Sequence, residues 1–274
     1  MDELSVNYFI LNEDTLPVKS FENTCRKISF GVYEVVRLMK GIPLFGEDHF
    51  NRMAHSLQLV NKQCPIGFND FEARLKHLAE ANNRQEGNIK IVADNLSEHI
   101  LLFFIPHYYP TEHEYRTGVK TGFYRAERTN PNAKTHLFGL REKVNVYLKE
   151  KDFFEVFYID NEGLITEGSR SNVFFIRNGI VYTCPSEKVL LGITRQKVIE
   201  CIRNLNIPLV EESVCENEAA SFESVFLTGT SPKVLPVSGI DGHIFSCENE
   251  TMQTIRKEYD RMANDYIQSR LSPR

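Results

Sequence analysis

Around Pro106 the hydrophobic pattern of this chain changes character, and any fold has to accommodate the break. Before it, residues 7–12 and 33–38 read as strands, and residues 47–62 place Phe50, Met53, Ala54 and Leu57 at helical spacing. Phe71, Leu75 and Leu78 repeat that spacing behind Asn69, which is expected to cap the helix. Residues 88–93 and 99–105, joined by a polar turn over 94–98, read as a hairpin. Then Pro106-His107-Tyr108-Tyr109-Pro110 and the polar stretch to Tyr115 interrupt both periods, as a connection between domains does. From residue 118 strands alternate with helices: strands at 121–126, 155–160, 172–176 and 180–183, helices at 139–149, 194–204 and 250–271. Asn178-Gly179 supplies a tight hairpin turn. The expectation is an α/β (α+β) chain of two domains without repeats. A smaller N-terminal one spans 1–106, a linker 107–117, and a larger C-terminal one 118–274.

Charge and cysteine usage narrow the function classes. A net charge of -5, with acids and bases interspersed, leaves no basic face for a nucleic acid. Six cysteines without a C-x-x-C pair suggest reduced thiols and no zinc site. The N-terminus opens on acids rather than a basic region, and no apolar run reaches the length of a membrane span, so a cytoplasmic protein without a membrane partner is expected. Asn95-Leu96-Ser97 and Asn249-Glu250-Thr251 match glycosylation sequons and are read as chance.

Four segments offer chemistry, each with an ordinary explanation beside it. Lys134 follows the turn Thr129-Asn130-Pro131-Asn132; its amine could enter a cleft where desolvation makes it a nucleophile, or it is a solvated loop lysine. Glu167 precedes the apolar run Val173-Phe174-Phe175; it is an exposed turn acid, or a buried one paired with a cation. Ser169, Ser171 and Asn172 beside it suit a turn. In Leu190-Leu191-Gly192-Ile193-Thr194-Arg195 a helix begins near Thr194, which either caps it or meets an anion at the positive end of the helix. Thr228-Gly229-Thr230-Ser231 is a strand-end turn whose hydroxyls and amides could face the same anion.

The order of these segments resembles the class IV aminotransferases, the fold type IV enzymes of pyridoxal 5'-phosphate (PLP). That family includes branched-chain and D-amino-acid aminotransferases and aminodeoxychorismate lyase. The resemblance runs through Tyr33-Glu34-Val35-Val36-Arg37, Gly41-Ile42-Pro43-Leu44-Phe45, His49-Phe50-Asn51-Arg52 with Ser56, and Asn132-Ala133-Lys134. It continues through residues 165–174, residues 190–195, and Gly229-Thr230-Ser231 with Leu235-Pro236-Val237.

The resemblance implies a two-domain fold with the cofactor between the domains, and a homodimer whose partner helps close the site. It implies that Lys134 forms the Schiff base with PLP and shuttles the α-proton, and that Glu167 keeps the pyridine nitrogen protonated. Arg52, the Ile193 and Thr194 amides, the Thr194 hydroxyl and Thr230 would hold the phosphate, Leu190 would pack on the ring, and Ser171 and Asn172 would join the cofactor site. Tyr33, Arg37, Gly229, Thr230 and Ser231 would line the substrate pocket. Residues 88–105 contain no arginine to grip a carboxylate as D-amino-acid enzymes do, so a branched-chain-like L-amino acid with a 2-oxo acid is expected. Two alternatives stand beside it: a lyase releasing pyruvate from aminodeoxychorismate to give 4-aminobenzoate, and a non-catalytic PLP-binding protein.

Overall fold

The structure, a computed structural model, describes residues 6–94, 96–128, 131–135 and 138–271. The acidic residues at the very start, Asn95 of the first sequon, and Thr129 and Asn130 ahead of Lys134 lie outside the described residues. The chain divides into two compact units. The first comprises Met1–Tyr108, Ala133–His136 and Met262–Arg274, the second Tyr109–Asn132 and Leu137–Arg261.

The first unit holds β1 (Tyr8–Leu11), β2 (Asp14–Pro17), α1 (Phe21–Cys25), β3 (Phe30–Met39), β4 (Ile42–Pro43), α2 (Gly46–Leu59), α3 (Phe68–Ala81), β5 (Gly87–Asp94) and β6 (Ile100–Ile105). Its strands form one antiparallel sheet in the order β2-β1-β6-β5-β3-β4. The period of two in β3 buries Val32, Glu34, Val36 and Leu38, and the helical period puts Met53 and Leu57 of α2 and Phe71, Leu75 and Leu78 of α3 into the same core. Burying a leucine or phenylalanine side chain contributes about 1.5–3 kcal/mol, so this seam holds the helices on the sheet. It also carries a carboxylate, Glu34, onto the core side, which requires a cationic partner. The N-cap of α3 is Gly67 rather than Asn69: Phe68 packs on the core, its ring 5.8 Å from that of Phe50, and draws the first turn upstream.

The second unit begins with α4 (Glu112–Thr117), inside the stretch expected to be linker. A capping box closes it: the Glu114 amide donates to the Thr111 hydroxyl while the Thr111 amide donates to the Glu114 carboxylate. There follow β7 (Val119–Arg125), α5 (Phe138–Lys151), β8 (Glu155–Ile159), β9 (Leu164–Gly168), β10 (Asn172–Arg177), β11 (Ile180–Thr183), α6 (Ile193–Asn204), β12 (Leu209–Glu211), β13 (Val214–Cys215), β14 (Ser224–Gly229), β15 (Lys233–Ile240), β16 (His243–Ile244) and α7 (Glu250–Leu271). Ten strands make one mixed sheet in the order β12-β11-β10-β14-β15-β7-β8-β9-β13, with β16 beside β15. The pairs β15/β7, β7/β8 and β11/β12 are parallel. Asn178 and Gly179, both at positive φ, turn β10 into β11 as expected. Val173, Phe175, Val225, Leu227, Leu235 and Val237 fill the core of this sheet. The last turns of α7 belong with the first unit, where the Tyr266 hydroxyl accepts from the Gly46 amide at 2.9 Å and donates to Glu47 at 2.7 Å. Among the described residues no helix is long and apolar enough to cross a membrane.

Candidate active site

Lys134 is fastened to β3 within the first unit. Its backbone carbonyl accepts from the Tyr33 amide at 3.0 Å, its amide donates to the Ser56 hydroxyl at 3.3 Å, and the neighbouring Thr135 bridges Val32. The side chain then places Nζ 4.9 Å from the centre of the Tyr33 ring, a range at which a cation is attracted to an aromatic face. Tyr33 and Arg37, two of the residues expected to face substrate, share one side of β3 because their spacing is even; Arg37 is buried there.

Arg52 is oriented by Glu34. From one turn of α2 it donates Nε to Glu34 Oε1 at 2.8 Å and Nη2 to Oε2 at 2.6 Å, a bidentate pair in which both side chains are buried. His49 Nδ1 lies 2.8 Å from the same Oε2, and since a carboxylate only accepts, Nδ1 carries the proton. Burial pushes the Glu34 carboxyl upward, but the Arg52 guanidinium and the bonds from Arg52 and His49 outweigh it and hold the group at about 2. Burial pulls His49 below its ordinary range despite the pull of Glu34, with Arg52 and Lys134 adding to the downward side.

Glu167 stands near the end of β9 in the second unit. Arg128 Nη1 donates to its Oε1 at 2.9 Å and the Leu190 amide to its Oε2 at 3.0 Å. The carboxylate is therefore the buried member of a cation pair, with a side chain 5% exposed against 13% for Arg128. The turn that follows is organised by Glu155. It accepts five bonds, from the amides of Val156, Ser169 and Arg170 and the hydroxyls of Ser169 and Ser171. Ser171 donates its hydroxyl proton to Glu155, 3.0 Å away. A Cβ on Gly168 would lie 2.0 Å from the Ser171 hydroxyl, so glycine leaves the room that the bond from Ser171 to Glu155 occupies.

The start of α6 is built for close approach. Its N-cap is Gly192 and no side chain caps it; Thr194 is the second helical residue, not the cap. A Cβ on Gly192 would meet Asn172 Oδ1 at 2.2 Å, and Asn172 Nδ2 donates to the Leu190 carbonyl at 3.0 Å, so Asn172 shapes the run into the helix. The first turn contains no acid, and Ile193, Thr194 and Arg195 are all buried. Arg195 anchors that turn through Nη2 to the Cys184 carbonyl at 2.9 Å and to Glu211 at 3.0 Å. Buried amides at the positive end of a helix, with neither cap nor acid, are an anion-binding arrangement. Thr230 and Ser231 form the turn from β14 to β15, and Gly229 is the last residue of β14.

The amino-transferase class IV family pattern matches residues 31–240. The chain belongs to the class IV aminotransferase family. It is 28% identical to a D-alanine aminotransferase of Bacillus licheniformis over 77% of this chain and 79% of that one. A crystal structure from Thermotoga maritima assigned to the branched-chain amino acid aminotransferases superposes with a TM-score of 0.81 at 26% identity, covering 94% of this chain and 96% of the other. A branched-chain amino acid aminotransferase from T.th. solved with pyridoxamine 5'-phosphate has the same fold, with a TM-score of 0.83 at 20% identity and 96% coverage of both chains. The mixed α/β architecture is that of the fold type IV aminotransferases.

Within this class IV chain the residues expected from sequence fall into two sets. Tyr33, Arg37, Arg52 and Lys134 are gathered in the first unit; Glu167, Ser171, Asn172, Leu190, Ile193, Thr194, Gly229, Thr230 and Ser231 in the second. Sequence reasoning gave no role to Arg128, Glu155 or Gly192. Arg128, in a polar stretch, carries no local signal at all. Glu155 opens an apolar strand, and a carboxylate at that position is the signal that could have drawn attention to it. Among the described residues no cluster of His, Cys, Asp and Glu is arranged to hold a metal ion.

Proposed function

We propose that this family member is a PLP-dependent aminotransferase that exchanges the amino group of a branched-chain-like L-amino acid with the oxygen of a 2-oxo acid. The observation that carries the reading is Glu167, a buried carboxylate whose two oxygens are aimed by Arg128 and the Leu190 amide. An anion fixed in this way suits a protonated ring nitrogen, and the uncapped start of α6 suits a phosphate, so the donor set fits PLP at both ends. When bound, PLP supplies an electron sink for the charge that develops at the substrate α-carbon.

The chain's own residues do the rest. The Lys134 amine would hold the cofactor and would move the proton at the substrate α-carbon. The amides of Ile193 and Thr194 and the hydroxyls of Thr194 and Thr230 would hold the phosphate, and Arg52, whose guanidinium is held by Glu34, would be offered to it as well. Leu190 would cover a ring face, and its amide positions Glu167. Asn172 shapes the entry to α6, and Ser171 acts at one remove by donating to Glu155 in the turn after Glu167. Tyr33 and Arg37 of β3, and Gly229, Thr230 and Ser231 of the β14–β15 turn, are the residues offered for substrate contact. The absence of arginine from residues 88–105 favours an L-amino acid over D-alanine. A cytoplasmic homodimer completes the reading.

The test is the visible spectrum of PLP-reconstituted protein during addition of single L- and D-amino acids, then of 2-oxoglutarate or pyruvate. Conversion of the cofactor band by a branched-chain L-amino acid, and its return with an oxo acid, is the expected result. Conversion by D-alanine alone would overturn the substrate assignment. A band discharged by no amino acid, with pyruvate released from aminodeoxychorismate, would replace transfer by the lyase reaction.

A further inference from the structure

Thr228 opens the Thr228-to-Ser231 segment but has no part in the proposed function, and its surroundings give it one. It lies in β14, is 1% exposed, and its Oγ1 has no hydrogen-bond partner. Buried hydroxyls in folded proteins are almost always bonded, so an orphan points to a partner that arrives with a ligand. Its direction follows from register. Thr228 stands opposite Asn172 in the antiparallel β10/β14 pair, and directly opposed residues project from the same face of a sheet. That face is the one on which Asn172 donates to the Leu190 carbonyl and lies against Gly192, the N-cap of α6. The orphan hydroxyl therefore belongs to the side of the sheet that carries the uncapped helix start.

We propose that the Thr228 hydroxyl donates a hydrogen bond to a phosphate oxygen held at the start of α6. This rests on the PLP reading and adds a donor to it. A threonine hydroxyl can rotate its proton toward the anion, and no competing acceptor holds that proton in the protein. The bond is to a charged group in a buried place, the class of hydrogen bond with the largest effect on affinity.

Thr228→Val keeps shape and volume while removing the hydroxyl; Thr228→Ser restores it. For wild type and both variants, the dissociation constants of PLP, pyridoxal and inorganic phosphate are measured together with the melting temperature of the cofactor-free protein. Thr228→Val is expected to weaken PLP and inorganic phosphate by about tenfold or more. Pyridoxal, which lacks the phosphate, should bind unchanged, and Thr228→Ser should stay within about threefold of wild type for all three. Cofactor-free Thr228→Val should melt no lower than wild type, because no protein partner is lost. An unchanged PLP affinity, equal losses for PLP and pyridoxal, or a lowered melting temperature would each overturn the assignment. Wild-type protein that binds no PLP would sink the cofactor reading, whereas normal PLP binding indifferent to Thr228→Val sinks this inference alone.

Discussion

The Arg128 guanidinium donates to the Glu167 carboxylate at 2.9 Å, and the Leu190 amide holds the other oxygen of that carboxylate at 3.0 Å. Glu167 is thereby presented in one orientation. Glu167→Gln should slow amino-group transfer by about a hundredfold or more while PLP affinity changes by less than about threefold, because the phosphate contacts remain. Arg128→Gln should produce a smaller loss of the same kind, about tenfold, with a shifted pH profile and partial rescue by Arg128→Lys. Single-turnover rates beside PLP binding isotherms check this; parallel losses in rate and affinity would remove Glu167 from the chemistry.

Lys134 is held at its backbone by Tyr33 and Ser56, which leaves the four-carbon stem to position the amine. Borohydride treatment of the PLP-loaded protein should attach the cofactor to the peptide containing Lys134, as read by mass spectrometry. Lys134→Ala should give no such adduct and lose more than roughly a thousandfold in transfer rate. An adduct retained by the alanine variant would mean that another lysine carries the cofactor.

Acid should unfold the first unit through Glu34 and His49. Glu34 sits at about 2 against its ordinary 4.5, so the unfolded chain takes up that proton first. The stabilisation is complete above pH 4.5 and lost as pH falls toward 2, on the order of 3 kcal/mol in all. His49, lowered from 6.5, adds a loss that begins as pH drops through that value, since the unfolded imidazole protonates before the buried one. Urea unfolding between pH 7 and 3 measures both. Glu34→Gln should cost about 3–5 kcal/mol at pH 7, because it strips a buried arginine of its counter-charge, and should flatten the segment below pH 4.5.

Gly192→Ala forces a methyl to 2.2 Å from Asn172 Oδ1. The variant should lose about 1–3 kcal/mol of stability. Combined with Asn172→Ala the loss should be smaller than the sum of the single variants, because removing the amide makes the space the methyl needs. Additive losses in denaturant titrations would show that the contact is not what excludes a side chain at residue 192.

Sequence pattern located most of the elements, and several of its misses share a cause. The helices holding Met53, Leu75 and Ile199 were visible because each buries one apolar stripe. Short strands such as Val214–Cys215 and the six-residue helix Glu112–Thr117 were not, because two to six residues cannot display a period. The helix could have been found from its Thr111-x-x-Glu114 box. Of the residues proposed for function, the Tyr33-to-Arg37 segment, Lys134, Glu167 and the Gly-Ile-Thr start of α6 are all legible as motifs. Their partners are not. Arg128 is 39 residues from Glu167, and Glu155 is 16 from Ser171, separations that only the closing of strands removes.

The sequence by itself determined the α/β class, the order of the family's motifs and which side chains have the chemistry to meet a charged cofactor, since these follow from local periodicity and residue type. Tertiary structure decided which charges meet: that Arg52 is oriented by Glu34, that Glu167 faces Arg128, that Ser171 serves Glu155, and that Lys134 folds with the first unit despite following residues of the second. A buried charge is stable only beside its complement, and that complement is chosen by strand register and helix packing over distances no local pattern encodes.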